Sequence, residues 1–224
     1  MKHLTEQNQN SIDRAKAVFR QHGGTLQTMK SIRLGIHPRT LYAMRDTGVL
    51  TQLGRGLYRL AEAPPLANHD LVSVALNVPQ GVLCLVSALS FHELTTQIPH
   101  EVYVALQRGA AAPRIPYPPI RIFWFGGSAF SEGIETHSVE GILVRVYSPE
   151  KAIADCFKYR NKIGLDVAVE ALKLYVQRKR KRIDEIIRFA RICRVERVMR
   201  PYLEAMLYTE TSQRRFRFGA SAPA

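Results

Sequence analysis

The sequence predicts an α+β fold in three successive segments, and three observations lead to this prediction. Residues 25–60 show two short helical patterns around a tight turn, followed by two strand patterns around a glycine-rich turn. Residues 101–147 contain three runs of β-branched and aromatic residues, which favour strands. From residue 148 the apolar residues return to helical spacing. The first pattern is typical of a winged helix-turn-helix, the second of a mixed α/β middle, and the third of a helical C-terminal region.

The N-terminal segment is predicted to contain three helices and a hairpin. The predicted helices span 11–22, 26–34 and 38–47, and the predicted strands span 49–53 and 57–60. Asn10 or Ser11 caps the first helix. Gly35 allows the sharp turn before the third helix, and Pro38 occupies that helix's first turn. The residues expected to face the core are Ile12, Ala15, Val18, Phe19, Leu26, Met29, Ile32, Leu41 and Met44.

A proline-containing linker at 61–67 is predicted to separate this segment from the rest of the chain. The predicted helices beyond it span 68–77, 81–94, 148–163, 166–177, 183–193 and 195–208, and the predicted strands span 101–106, 121–125 and 141–147. We therefore expect one domain at 1–62, a second at 66–210, and a disordered basic tail at 211–224.

The charge of the chain indicates an anionic partner. The 224 residues carry a formal net charge of +13. Residues 1–60 contribute +7, residues 61–147 contribute −3 and residues 148–224 contribute +9. Two basic ends around a mildly acidic middle favour binding to nucleic acid.

The cysteines and the N-terminus favour a cytoplasmic protein. Cys84, Cys156 and Cys193 are widely spaced, which predicts neither a disulfide framework nor a zinc site. The first residues are too polar for a signal peptide, and no apolar run is long enough to cross a bilayer. We therefore expect no membrane partner.

The third predicted helix is the candidate recognition helix, with double-stranded DNA as its partner. Arginine side chains pair with guanine edges or phosphates, and hydroxyl groups donate to phosphates. The candidate DNA-contacting residues are Arg39, Thr40, Tyr42, Arg45, Arg55 and Arg59. One alternative is a three-helix bundle whose third helix is merely solvated. Another, for Arg55, is an ordinary exposed turn residue.

Five consecutive cations form a second candidate site, a patch for an anionic partner such as DNA, RNA or an acidic protein surface. They are Arg178, Lys179, Arg180, Lys181 and Arg182. Their mutual repulsion would be relieved by such a partner. The alternative is a solvated helix end, because cations also suit the negative end of the helix dipole.

Catalytic motifs are absent from the sequence. It contains no glycine-rich phosphate loop, no His-Glu-x-x-His zinc helix and no Gly-x-Ser-x-Gly elbow. The pairs His92-Glu93 and His100-Glu101 supply too few ligands for a metal site. We therefore expect a protein that is not an enzyme and uses no cofactor or metal. The alternative is a metal-dependent nuclease built on Asp155, Asp166 and Glu170.

Two segments of the chain resemble a known family. SPEKAIADCFKYRNKIGLDVAVEAL at 148–172 resembles the core motif of the antitoxins of AbiE-type systems, and this is the more specific match. RTLYAMRDTGVLTQLGRGLYRL at 39–60 resembles the N-terminal domain of the same family. These systems are described as type IV toxin–antitoxin and phage abortive-infection modules, which serve in phage defence. The motif positions are Pro149, Lys151, Asp155, Lys158, Tyr159, Arg160, Asn161, Lys162, Gly164 and Asp166.

The resemblance implies a bifunctional protein. The N-terminal domain would bind inverted or direct repeats in its own promoter and repress transcription. The C-terminal region would counteract a nucleotidyltransferase-like toxin encoded beside it, either by direct binding or through the toxin's target, and the type IV label favours the indirect route. A structural alternative is an ion pair of Asp155 with Lys151 or Lys158. A functional alternative is a stand-alone winged-helix regulator with a ligand-sensing C-terminal domain.

Overall fold

The computed structural model describes residues 2–54, 56–63, 68–115 and 117–218, with side chains described between residues 9 and 209. Helices and strands are mixed within these ranges, which confirms the predicted α+β class. The helices are α1 (Lys2–Gln21), α2 (Thr28–Arg33), α3 (Pro38–Asp46), α4 (His69–Asn77), α5 (Leu85–Phe91), α6 (Ser128–Ser131), α7 (Pro149–Lys158), α8 (Arg160–Ile163), α9 (Leu165–Val176), α10 (Ile183–Ile192) and α11 (Glu196–Phe218). The strands are β1 (Thr25–Gln27), β2 (Leu50–Gly54), β3 (Leu57–Leu60), β4 (Val82–Leu83), β5 (Val102–Gln107), β6 (Ile120–Phe125), β7 (Ile134–Val139) and β8 (Ile142–Tyr147).

The chain forms two compact units, of which the first comprises Met1–Pro79 and His137–Val144. Its sheet has the order β1-β3-β2 with antiparallel pairing, and α1 packs against both α3 and β3. The buried cluster at its centre consists of Ile12, Ala15, Phe19, Leu26, Ile36, Leu41, Met44, Leu50, Tyr58 and Leu60. Most of the predicted core residues of this segment are therefore buried.

The first two helices of the first unit, α1 and α2, differ from the prediction at their starts. Helix α1 begins at Lys2, so Asn10 and Ser11 lie inside it, and their predicted capping role is wrong. Strand β1 replaces the predicted start of the second helix, which begins only at Thr28. Three residues are too few to show the alternating pattern by which a strand is predicted.

A buried arginine lies on the central strand of the first unit. Arg59 is 9% exposed, and its Nη1 donates to Thr25 Oγ1 over 2.8 Å and lies 3.4 Å from Glu140 Oε2. Glu140 and Gly141 connect β7 to β8 with φ angles of 52° and 83°, as a two-residue hairpin turn requires. The first unit thus includes residues far along the chain, and the domain boundary near residue 62 stays a prediction.

The second unit comprises Gln80–Thr136 and Arg145–Ala224. The larger sheet has the order β6-β5-β4-β8-β7, in which β5 is parallel to β6, β4 is antiparallel to β5, and β4 is parallel to β8. Helix α7 is central among the helices because it packs against α5, α9 and α10. Every residue from Glu150 to Phe157 is buried.

Three features of the later chain were not predicted. The predicted helix over 81–94 is replaced by the short strand β4 and the seven-residue helix α5. Strand β7 is rich in polar residues and was missed. Helix α11 continues to Phe218, so residues 211–218 of the predicted disordered tail are helical, while residues 219–224 lie outside the described residues. Among the described helices, none combines the length and apolar character needed to cross a bilayer.

The three cysteines should resist thiol reagents in the native protein. Cys84, Cys156 and Cys193 are free and no more than 2% exposed, and burial, reinforced by the Asp155 carboxylate, raises the pKa of each thiol. Since the thiolate is the reactive form, we expect negligible colour release from Ellman's reagent without denaturant. All three thiols should react in guanidinium chloride. Rapid reaction of any one of these thiols in the native protein would contradict the buried packing around α7.

Candidate functional site

Helix α3 presents one face to the core and another to solvent. Pro38 stands at its first position, and His37 Nδ1 accepts a hydrogen bond from the Arg39 amide over 3.2 Å. Leu41 and Met44 are fully buried and fix the rotation of the helix about its axis. The side chains on the opposite face therefore have a defined orientation toward solvent.

The turn that precedes α3 is set by backbone hydrogen bonds. The Ile36 amide donates to the Ser31 carbonyl, and the Gly35 amide donates to the Ile32 carbonyl, both over 3.0 Å. This pairing closes α2 with a left-handed residue, and Gly35 supplies it with φ of 87°. Helices α2 and α3 contact each other as a result. The tight turn predicted at Gly35 is confirmed.

The outward face of α3 carries the predicted DNA-contacting residues. Arg39, Tyr42 and Arg45 are exposed, and Thr40 is half-buried at the edge of this face. The Arg45 guanidinium lies 2.7 Å from Asp46 Oδ1 and 5.2 Å from the centre of the Tyr42 ring. The hydrogen bond from Arg45 to Asp46 also raises the pKa of Arg45. Arg39 projects without an ion pair to any described residue.

Helix α2 adds cations that sequence analysis did not select. Lys30 and Arg33 are exposed on it, three residues apart. Met29 and Ile32, predicted as core residues, are instead 63% and 38% exposed, because α2 is too short to bury more than Ser31. The presence of two cations, Lys30 and Arg33, in a short segment interpreted as a buried helix was the signal that could have identified this exposed face.

The hairpin was predicted to supply two DNA-contacting residues, Arg55 and Arg59. Arg55 lies outside the described residues. The prediction that Arg59 touches DNA is wrong, because the hydrogen bond to Thr25 and the ion pair with Glu140 hold its side chain in the interior. The register of the hairpin shifts between Gln52 and Gly54, because Gln52 pairs with Tyr58 whereas Gly54 pairs with Leu57.

In the C-terminal motif, Lys151 and Asp155 form a fully buried ion pair. Lys151 Nζ donates to Asp155 Oδ2 over 2.5 Å, and neither side chain is exposed. The Tyr147 ring centre lies 4.1 Å from Lys151 Nζ, and Cys193 Sγ donates to Asp155 Oδ1 over 3.1 Å. Burial raises the pKa of Asp155, and the Lys151 cation opposes that shift. The ion pair of Asp155 with Lys151, considered as the structural alternative for these motif positions, is therefore present in the interior beside α7.

The remaining motif residues lie at the surface or near it. Lys158, Asn161, Lys162 and Asp166 are exposed, and Arg160 is half-buried because its Nη1 donates to the Phe157 carbonyl over 2.9 Å. The pairing considered for Asp155 with Lys158 is replaced by the pairing with Lys151. The exposed members lie on α8 and on the adjoining ends of α7 and α9, where they form a polar surface.

The basic run at 178–182 follows the end of α9, and most of its side chains donate hydrogen bonds to other parts of the protein. Arg178 donates to the His92 carbonyl, and Lys181 Nζ donates to the Val176 carbonyl over 2.6 Å. The Arg182 guanidinium forms two hydrogen bonds with the Glu150 carboxylate, over 3.1 and 3.0 Å. Only Lys179 and Arg180 are exposed without an ion pair to a described residue. The structure therefore gives no continuous patch of five cations.

The carboxylates considered for a nuclease are not gathered into one site. Asp155 is occupied by Lys151 and Cys193, while Glu170 accepts hydrogen bonds from the Thr95 and Thr96 hydroxyls. Within the described parts of the chain, no three His, Cys, Asp or Glu side chains are grouped so that they could hold a metal ion.

The comparisons with known proteins bear on the N-terminal part of the chain. The search of curated proteins found no match to the chain. Residues 13–61 match a family model described as "Transcriptional regulator, AbiEi antitoxin", a range that begins in the middle of α1 and continues through α2, α3 and the hairpin. The segment 148–172, which carries the more specific resemblance, lies outside the match. Over residues 13–61 the chain thus matches the AbiEi antitoxin family of transcriptional regulators, which confirms the resemblance found in the sequence.

Proposed function

We propose that the protein is a DNA-binding autorepressor and the antitoxin of a type IV toxin–antitoxin system. The observation that carries the DNA-binding role is the exposed face of α3, with Arg39, Tyr42 and Arg45 on a helix fixed by a tight turn. The family match over residues 13–61 supports a regulator of this kind. The antitoxin role is supported by the description of that family and by the resemblance of 148–172.

In this proposal α2, α3 and the β2–β3 hairpin act as a winged helix-turn-helix. Helix α3 lies in the major groove, where residues near its N-terminus approach base edges. Arg39 is placed to read a base, and Arg45 to hold a phosphate or a second base. Lys30 and Arg33 on α2 contact the phosphate backbone. The operator is a repeated sequence in the protein's own promoter, and the protein acts in the cytoplasm.

Binding of the full chain to its own upstream DNA should weaken steeply as salt rises. If Lys30, Arg33 and Arg45 each neutralise one phosphate, log affinity should fall against log salt with a slope of about −2.7. The affinity should then fall roughly fortyfold between about 50 mM and about 200 mM salt. Fluorescence anisotropy of a labelled upstream duplex measures this directly.

A shuffled duplex of equal length and composition is the matched control for this titration. It should bind more weakly at every salt concentration, because phosphate contacts alone hold it. Equal affinity for the two duplexes would reject a specific operator. A flat salt profile would reject the α2–α3 surface as the DNA-binding face.

For the antitoxin role, we infer that the exposed motif residues around α8 face the toxin or the toxin's target. Lys158, Asn161 and Lys162 offer charged and amide groups at that surface. The protein itself is proposed to have no catalytic activity. Failure to counteract a toxic neighbour would leave a stand-alone regulator with a ligand-sensing C-terminal domain.

A further inference from the structure

The second unit contains a cavity of about 810 Å³ at the ends of β5, β6, α7 and α10. Its volume falls within the range of small-molecule sites, roughly 300–1,000 Å³. Three cationic residues from three separate segments line it, namely Arg108, Lys158 and Arg194. No carboxylate is among the described residues that line it, so the cavity is positively charged.

These three cations are not neutralised by the protein. All three side chains are exposed, and none forms an ion pair with a described residue. Asp155, a carboxylate that acts on the Lys158 charge, is buried and already accepts hydrogen bonds from Lys151 and Cys193. Like charges brought together around one cavity repel each other, and an anion between them removes that repulsion.

The backbone at Arg194 supplies an independent observation. Its φ is 59°, the left-handed conformation that glycine adopts readily and other residues adopt at a cost. It occupies the position after the last turn of α10, since its amide donates to the Arg191 carbonyl and the Val195 amide donates to the Ala190 carbonyl. Glycine is the usual residue in this motif. Strained residues of this kind cluster at ligand-binding positions, and here the strain places a cation on the cavity.

We propose that this cavity binds a small molecule carrying linked phosphate groups, either an inorganic polyphosphate or a nucleoside triphosphate. The planar guanidinium groups of Arg108 and Arg194 can each donate two hydrogen bonds to phosphate oxygens, and Lys158 adds a third positive charge. A triphosphate's negative charge is comparable to the sum of the three cations. This site lies in the second unit, so it is independent of DNA binding by α3.

The test is isothermal titration of the full chain with inorganic tripolyphosphate and, separately, with ATP. Saturable binding of one ligand per chain is expected. Equal affinities would identify the phosphates as the recognised part, and tighter binding of ATP would show that the nucleoside contributes. Lys158→Gln and Arg108→Gln should each weaken binding about tenfold or more, because each removes a charge-assisted hydrogen bond.

Two control variants separate this site from other cationic surfaces. Lys179→Gln removes an exposed cation of the same unit that does not line the cavity, and Arg39→Ala removes one from α3. Both should bind tripolyphosphate as the unaltered protein does. A loss in Lys179→Gln equal to that in Lys158→Gln would overturn the proposal, because it would indicate only general attraction to a basic protein.

Arg194→Gly tests whether the arginine is kept for binding or for folding. Glycine suits the left-handed backbone, so the melting temperature should not fall, while affinity for tripolyphosphate should fall about tenfold. Unchanged affinity in this variant would contradict the proposal. The absence of saturable binding of both tripolyphosphate and ATP would also contradict the proposal. Binding of a short single-stranded oligonucleotide but of neither small molecule would contradict it in the same way.

Discussion

Replacing Lys151 by Met is expected to lower the free energy of unfolding by about 3–5 kcal/mol, which is the usual cost of leaving one partner of a buried ion pair unpaired. Lys151 and Asp155 are both completely buried, so no water replaces the lost cation. Chemical denaturation followed by circular dichroism measures the change. The variant should also lose the proposed antitoxin function through instability.

The loss in Lys151→Met should depend on pH. Burial raises the pKa of Asp155, and without the lysine only the Cys193 hydrogen bond and the Lys158 charge oppose it. The pKa in the folded state therefore rises further above the value of the unfolded chain. The folded state then binds a proton that the unfolded state does not, so stability increases as pH falls. The deficit should be smaller at about pH 5 than at about pH 8.

Two further variants show whether the ion pair is the cause. The double variant Lys151→Met with Asp155→Leu removes both charges and should recover much of the lost stability, because buried pairs are often replaceable by apolar residues. Lys158→Met alters an exposed lysine of the same helix and should change stability by less than about 0.5 kcal/mol. A single Lys151→Met variant as stable as the unaltered protein would contradict the buried pair.

Arg39→Ala is expected to weaken binding to the operator by about 1–3 kcal/mol, or roughly fivefold to more than a hundredfold. Its side chain is exposed near the start of α3 and has no ion pair with a described residue, so its charge is available to DNA. If Arg39 reads a base, affinity for the shuffled duplex should change little. If it holds only a phosphate, both affinities should fall together.

Arg45 differs from Arg39 because it already has a partner in Asp46. Arg45→Ala should cost at least as much as Arg39→Ala, since it removes a cation and leaves the Asp46 carboxylate facing the phosphates. Asp46→Asn should instead strengthen binding. Arg20→Ala is the matched control, because Arg20 is an exposed arginine on α1 that pairs with Glu62. Unchanged operator binding in both Arg39→Ala and Arg45→Ala would reject α3 as the recognition helix.

Local sequence signals predicted the N-terminal unit well where they were strong. Pro38 at a helix start, Gly35 in a tight turn and the apolar spacing of Leu41 and Met44 led to α3 at nearly its observed bounds. Each of these signals is contained within a few residues. The structure could therefore be anticipated there without knowledge of distant contacts.

The roles of several charged residues could not be predicted, because distant contacts decide them. Arg59 resembles a surface cation in the sequence, yet its partner Glu140 is 81 residues away. Arg182 belongs to a run of five cations, but Glu150, 32 residues earlier, binds it. Lys151 was chosen by resemblance, and its burial depends on Tyr147, Phe125 and Asp155 together. Sequence spacing alone does not reveal which charges have partners.

Growth rescue tests the central claim most directly. The gene beside this one is induced in a host, with the full chain expressed from an unrelated promoter so that repression does not contribute. Point variants are preferable to truncation at residue 61, because truncation would remove Arg59 from Glu140. We predict that the full chain and the Arg39→Ala, Arg45→Ala double variant both restore growth. Continued arrest with both proteins present, beside a neighbour shown to be toxic, would contradict the antitoxin function.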